Sequence, residues 1–267
     1  MSRFDSIGTK NGAPGDQITR NVLSRRASIG FLGTGAVAAL AGLAGCGGGN
    51  SNSNSNIGPF SRSAVSNAFK DIMTDEDSHV AFLNAAITNA GGTPRPAPTF
   101  DTTQSVWNPA DVNTFYELAV ALENTGTGAY TYATRYLVSV PDVLVAAASI
   151  GLVEGRHAGF LNVLTGRPIL TDPTPGLNDK SDPSTKTFTT LNGGTTADFA
   201  QEVPQAPSEV LTRAQPFLVN VNLNGGAAPP SDTFPGGVFE VLNYALLLEY
   251  LEKTWYDRNV PRFASQF

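Results

Sequence analysis

The chain has 267 residues, which is enough for one domain with a substantial core. Only 15% of the residues are charged and the pI is about 4.9, so nucleic acid is not an expected partner. The single cysteine, Cys46, excludes an internal disulfide and a cysteine-based zinc site.

Residues 1–46 have the pattern of an export signal. Arg25 and Arg26 precede an apolar, Gly- and Ala-rich stretch that is short for a transmembrane helix and ends in "LAGC" at Cys46. The arginine pair resembles a twin-arginine signal and the last four residues resemble a lipobox, which implies export and lipidation of Cys46. An ordinary secretory signal and an uncleaved anchor are the alternatives.

A flexible tether is predicted at residues 47–59, where the sequence "GGGNSNSNSNIG" is too polar to pack a core. A lipid on Cys46 and this tether would hold a folded domain, residues 60–267, at a bacterial membrane. The expected location is therefore the periplasmic or cell-surface side.

Four long helices are predicted in the folded part. The first covers about residues 61–90, and the second starts with Asn108 as its cap and Pro109 as its first residue and ends near residue 137. The third runs from Pro141 to Gly166, and the last covers about residues 237–258. Residues 169–232 are predicted to be irregular, with one short helix at 207–214. No strand pattern of comparable strength is present, so the fold class is an all-α four-helix bundle.

Both histidines of the chain follow a glutamate by three residues. Glu76 and His79 lie on the first helix, and Glu154 and His157 lie on the third. Helical spacing places each pair in the middle of an apolar stripe that packs inward, and both members of a pair project from one side of the helix. Because a buried carboxylate needs a partner, each pair is predicted to bind a metal ion. For a single pair, an exposed salt bridge would be the better explanation.

The second and last helices supply further inward carboxylates. Glu123 and Glu249 lie on the seams of these helices, meaning the apolar stripes that face the core. A tyrosine follows each glutamate two turns later, at Tyr130 and Tyr256. One Glu from each of two helices and a Glu-x-x-His from each of two others form the di-metal arrangement of carboxylate bundles. Such ligands suit iron, or manganese. The predicted metal ligands are Glu76, His79, Glu123, Glu154, His157 and Glu249.

Five stretches carry a family resemblance: "DEDSHVAFLNAAI", "ALENTGTGAY", "AAASIGLVEGRHAGFL", "SEVLTRAQPF" and "VLNYALLLEYLEKTWY". They resemble the bacterial ferritin-like domain family, which is related to plant desiccation-related proteins. The resemblance implies a ferritin-like bundle with two irons, in which Glu76 and Glu154 bridge the metals. Glu123 and Glu249 would then be terminal ligands, one per metal, and each histidine would give one nitrogen.

The order of the helices differs from that of the relatives. The helix that resembles the last one comes first in the family, so the chain looks circularly permuted. The last helix then either fills the vacant position in its own chain or completes the bundle of a neighbouring molecule.

Other side chains near the seams leave alternatives open. Glu252 is expected to be a solvated surface charge, with an alternative metal ligand as the other interpretation. Tyr130 and Tyr256 either hydrogen-bond ligand carboxylates or serve as core aromatics with a polar tip.

Positions off the seams and two glycines are less informative. Glu117 and Asp77 are expected to be solvated. Gly126 and Gly128 weaken the second helix, either to make room for a neighbouring helix or because the helix is distorted at the site.

Two functions follow from this sequence. The first is an exported, membrane-tethered protein whose di-iron centre oxidises Fe(II) or removes peroxide, with dioxygen or peroxide as the small oxidant. The alternative is a stress- or desiccation-associated structural protein whose bundle binds metal only for stability, or not at all. A homodimer is compatible with either function, whereas a closed storage cage fits poorly with a lipid anchor and a long irregular segment.

Overall fold

The computed structural model describes residues 59–167, 204–226, 228 and 231–267, together with two strands of two residues each. The strands, β1 Phe188–Thr189 and β2 Thr195–Thr196, pair in antiparallel orientation. The predicted leader with Arg25, Arg26 and Cys46, and the predicted tether up to residue 58, lie outside the described residues. Within the part of the chain that is described, no helix is both long enough and apolar enough to cross a membrane.

Five α-helices make up the fold, four of them long. They are α1 Arg62–Asn89, α2 Val112–Ala133, α3 Pro141–Leu164, α4 Pro207–Ala214 and α5 Val238–Phe263. The predicted all-α bundle and the predicted short helix are confirmed.

Two boundaries differ from the sequence-based prediction. Asp111, rather than Asn108, caps α2, because its carboxylate accepts a hydrogen bond of 2.8 Å from the backbone N–H of Thr114. Asn108 instead donates its side-chain amide to the carbonyl of Thr102. At the other end of the chain, α5 continues beyond the predicted end and contains Pro261.

The long helices form two antiparallel pairs. A short turn connects α2 to α3, and α1 packs along α5. The guanidinium of Arg62, at the start of α1, donates a hydrogen bond of 3.0 Å to the carbonyl of Phe267, next to the end of α5. The last helix therefore fills the fourth position of the bundle within its own chain.

The core consists of two apolar clusters with a polar layer between them. The first includes Leu83, Val143 and Val241, and the second is rich in aromatic side chains such as Phe69 and Trp255. On each long helix, the predicted ligand residues lie between the parts that enter the two clusters. The polar layer thus lies midway along the bundle, with apolar side chains packed above and below it.

Candidate metal centre

All six predicted ligand residues converge in the polar layer. Glu76, Glu123, Glu154 and Glu249 have no more than a trace of exposed surface, and both histidines are buried. Side-chain oxygen and nitrogen atoms within 4.8 Å of one another form two sets. One set contains Glu76, His79, Glu154 and Glu249, and the other contains Glu76, Glu123, Glu154 and His157. The two sets share Glu76 and Glu154, one from each Glu-x-x-His pair.

The first set is arranged around the ring of His79. Its Nδ1 atom lies 3.2 Å from Glu76 Oε2, 3.2 Å from Glu154 Oε1 and 3.2 Å from Glu249 Oε2. A ring nitrogen carries at most one proton, so it cannot satisfy three anionic oxygens by hydrogen bonding. Four ligand atoms from three helices therefore point toward one small volume.

The second set is arranged in the same way around His157. Its Nδ1 atom lies 3.1 Å from Glu123 Oε2 and 3.3 Å from Glu76 Oε1. Its other ring nitrogen, Nε2, lies 3.1 Å from the carboxylate of Asp75, whose side chain is 44% exposed. With the Nε2 proton held by Asp75, Nδ1 can present its lone pair to a metal ion.

Asp75 was not among the predicted site residues, although it directly precedes Glu76. The residue before Glu154 is Val153, which has no hydrogen-bonding group in its side chain. The two Glu-x-x-His pairs therefore differ. Asp75 on α1 contacts the histidine of the other pair, His157 on α3, whereas Val153 on α3 cannot support His79 in this way.

Both tyrosines of the seams hydrogen-bond carboxylates of the site, but across the bundle. The hydroxyl of Tyr130 on α2 donates to Glu249 on α5, and the hydroxyl of Tyr256 on α5 donates to Glu123 on α2. Each tyrosine thus orients the glutamate of the other helix, and the two hydrogen bonds connect α2 to α5 on both sides of the cluster.

Glu252 is buried, so the expectation of a solvated surface charge is wrong. It is 4% exposed, because α4 and the residues after it cover the face of the bundle between α2 and α5. The sequence does not show this cover, since α4 is separated from both helices along the chain. A fifth carboxylate therefore adjoins the cluster.

Gly126 provides the space for these carboxylates. A Cβ atom at this position would lie 2.7 Å from Glu154 Oε2 and 3.4 Å from Glu252 Oε1. A Cβ atom at Gly128 would instead meet the side chain of Gln205, which donates to the carbonyl of Asn124. Gly126 thus serves the site, and Gly128 serves the packing of the segment before α4.

Glu117 and Asp77, which were expected to be solvated, are both exposed. Glu117 forms an ion pair with Arg167, and Asp77 forms one with Lys253. Neither contributes to the cluster.

Burial of so many carboxylates shifts their proton affinities. Burial raises the pKa of Glu76 to about 7, and with the neighbouring carboxylates it raises the pKa values of Glu154 and Glu252 well above their ordinary range. Burial acts to lower the pKa values of His79 and His157, but the surrounding carboxylates raise both well above the usual value. Although burial opposes it, the charge of His79 lowers the pKa of Glu249. In the absence of other cations, protons must compensate the excess negative charge.

The residues could hold metal. Glu76 Oε1 and both oxygens of Glu154 are buried, and no described group donates a well-aligned hydrogen bond to them. Glu76 Oε1 and Glu154 Oε1 lie 3.3 and 3.2 Å from a histidine Nδ1, but each of these nitrogens is shared with other carboxylates. These orphaned atoms belong to the two glutamates that the ligand sets share. Leaving anionic oxygens unpaired in a dry interior is costly, whereas direct coordination by cations would satisfy all of them.

Comparison with known proteins supports the resemblance seen in the sequence. Residues 40–167 match the model of the family described as a ferritin-like domain. The match includes α1, α2 and α3, and hence Glu76, Glu123 and Glu154, but not α5. Neither the curated proteins nor the solved structures give a match to this chain. With the observed architecture, the fold is an all-α ferritin-like four-helix bundle.

The stability of the metal-free protein is predicted to fall as the pH rises from about 5 to about 8. Between its ordinary pKa of 4.5 and its folded pKa of about 7, Glu76 keeps a proton in the folded state that the unfolded chain has lost. The free energy of unfolding then decreases by about 1.4 kcal/mol per pH unit from this group alone. The raised pKa values of Glu154, Glu252 and both histidines act in the same direction.

Urea unfolding of chelator-treated protein across this pH range would measure the effect. The lowered pKa of Glu249 acts oppositely, but its contribution is already complete above pH 5. Stability that stays constant or increases toward pH 8 would contradict the charge balance described for the cluster.

Gly126→Ala is predicted to weaken binding of Mn(II) by about 10- to 100-fold, because the new methyl group would displace Glu154. Gly155→Ala on α3 is the matched control, since its Cβ would lie 3.8 Å from Thr127, an ordinary contact. Isothermal titration calorimetry would measure the Mn(II) affinity of both variants and of the wild-type protein. Equal affinities in the two variants would show that Gly126 is not required for the ligand geometry.

Proposed function

We propose that this chain binds two metal ions, with iron as the native metal, and uses them to oxidise Fe(II) or to remove peroxide. The observation that carries the proposal is the pair of ligand sets that share Glu76 and Glu154 in the buried layer. Two sets with shared carboxylates suit two ions close together, whereas a purely structural bundle has no need for five carboxylates in its interior.

The ligand roles follow from this sharing. Glu76 and Glu154 would bridge the two ions. Glu249 and His79 would complete one position, and Glu123 and His157 would complete the other. Carboxylate and imidazole ligands without thiolate favour iron or manganese over copper, and over the sulfur-rich sites typical of structural zinc.

With Fe(II) held there, the centre would supply two electrons, enough to reduce dioxygen to hydrogen peroxide or hydrogen peroxide to water with the uptake of two protons. The chain's own residues prepare the site for this chemistry. Tyr130 and Tyr256 hold Glu249 and Glu123 in place through their hydroxyl groups. Asp75 fixes the ring of His157, and the two apolar clusters exclude bulk water.

We extend the proposal to the cellular setting. The pattern of residues 1–46 supports an exported lipoprotein, anchored through Cys46 to a bacterial membrane by way of the tether, on the periplasmic or cell-surface side. A homodimer is compatible with this placement.

A circular permutation within the ferritin-like family is the origin that we propose for this helix order. The family match ends at residue 167, and the helix that completes the bundle begins only at residue 238. Arg62 at the start of α1 lies next to Phe267, just after α5, so a short connection could join α5 to α1 in the order of the family.

The second candidate is a stress- or desiccation-associated structural protein in which metal serves only stability. The observation in its favour is the number of buried groups that a bound cation would neutralise, because such a site stabilises the folded state with or without turnover. Melting curves with and without chelator, beside oxygen consumption with Fe(II), distinguish the two. Stabilisation without oxygen consumption would favour the structural function.

The central experiment is a count of bound metal. Anaerobic titration is predicted to give two Fe(II) ions per chain, and Glu76→Gln should weaken binding by more than about 100-fold, because it removes a ligand shared by both positions. Inductively coupled plasma mass spectrometry and calorimetry would measure both.

The control is Glu117→Gln, the same substitution at an exposed carboxylate on α2. It should leave two ions bound with unchanged affinity. Because Glu76→Gln removes a buried charge, the metal-free variant should remain folded, so a loss of metal binding would not reflect unfolding. Full loading of Glu76→Gln would contradict the proposal.

A further inference from the structure

An apolar cavity adjoins the cluster at the end of the bundle where α2 meets α3. All four long helices contribute to its lining, which includes Leu83, Ala86, Tyr130, Ala147, Leu242 and Ala245. Only apolar atoms line it, and it offers about 20 Å³ to the centre of a water-sized molecule. This is enough room for about one small molecule.

The cavity lies one helical turn from the metal ligands. Leu83 follows His79 by four residues, and Ala245 precedes Glu249 by four. Tyr130 belongs to both places: its ring lines the cavity, and its hydroxyl donates to Glu249. Tyr130 thus lies at the border between the cavity and the cluster.

The lining selects the kind of molecule that can be held. Water and hydrogen peroxide would find no hydrogen-bonding partner in the cavity, and apolar cavities of this kind stay dry and take up apolar guests such as xenon. A second cavity differs in this respect, because Thr125, Arg213 and Glu252 contribute to its lining next to Gly126. The second cavity therefore offers polar groups beside Glu252, which the apolar cavity does not.

We propose that the apolar cavity, defined by the six residues above, is a binding site for dioxygen. The inference rests on the proposed oxidative function and narrows it, since it makes dioxygen rather than peroxide the oxidant that the fold accommodates. Half-buried Phe82 on α1 and Ala146 on α3 form the rim of the cavity, through which dioxygen would enter from the surface.

Xenon is the probe for the cavity itself, and it needs no metal. Crystals of the metal-free wild-type protein under xenon pressure are expected to show one xenon atom between Leu83, Tyr130 and Ala147. Ala147→Leu should abolish this site by filling it, and Ala147→Val, a smaller change, should reduce its occupancy. Ala148→Leu, the same substitution on the exposed face of α3, should leave the site intact. Absence of xenon from the wild-type cavity would overturn the proposal.

The kinetic arm uses the Fe(II)-bound protein in stopped-flow mixing. Ala147→Leu is expected to slow oxidation by dioxygen at least fivefold, while Fe(II) affinity and the rate with hydrogen peroxide stay at the wild-type values. Ala148→Leu should match the wild type throughout. An unchanged dioxygen rate, or an equal loss with both oxidants, would overturn the proposal. If the wild-type protein bound no iron, the proposed function would fail, and the xenon experiment would still decide whether the cavity takes an apolar guest.

Discussion

The rest of the structure depends on one constraint: five buried carboxylates face two imidazoles in an interior from which bulk water is excluded. Even with both histidines protonated, the layer would carry excess negative charge, which is expensive at low dielectric. The raised pKa values of Glu76, Glu154 and Glu252 show that bound protons would reduce this negative charge in the absence of metal. Two divalent ions would offset four of the five negative charges without protonating the carboxylates, so metal binding would be coupled to folding through the same charges.

The cluster is nearly symmetric, and its departures from symmetry are informative. The crossed hydrogen bonds of Tyr130 and Tyr256 relate α2 to α5, as the two Glu-x-x-His pairs relate α1 to α3. Three residues after its ligand glutamate, however, α5 has Glu252, whereas α2 has Gly126, and the glycine makes room for the extra carboxylate. Asp75 supports His157, and Val153 stands at the corresponding position on the other side. The two sets of candidate ligands are therefore chemically unequal, although they contain the same types of residue.

The helices and the inward position of all six ligand residues could be predicted from the sequence, because helical periodicity fixes which side chains share a face. Glu249 illustrates this: spacing alone places it on the seam of α5. Features that depend on tertiary neighbours could not be predicted. Glu252 is buried only because α4 covers it, and Asp75 is half-exposed, with a role that depends on a histidine from another helix. The start of α2 was missed because the side chain of Asn108 is engaged elsewhere, a contact that propensity does not encode.

Anomalous diffraction at the iron edge, from crystals grown or soaked with Fe(II) in the absence of oxygen, would test the central claim most directly. We predict two peaks about 3.5–4 Å apart in the buried layer, both within bonding distance of Glu76 and Glu154, with one imidazole at each. Iron bound only at surface carboxylates such as Asp77 and Asp257, with no peak between the four long helices, would contradict the account.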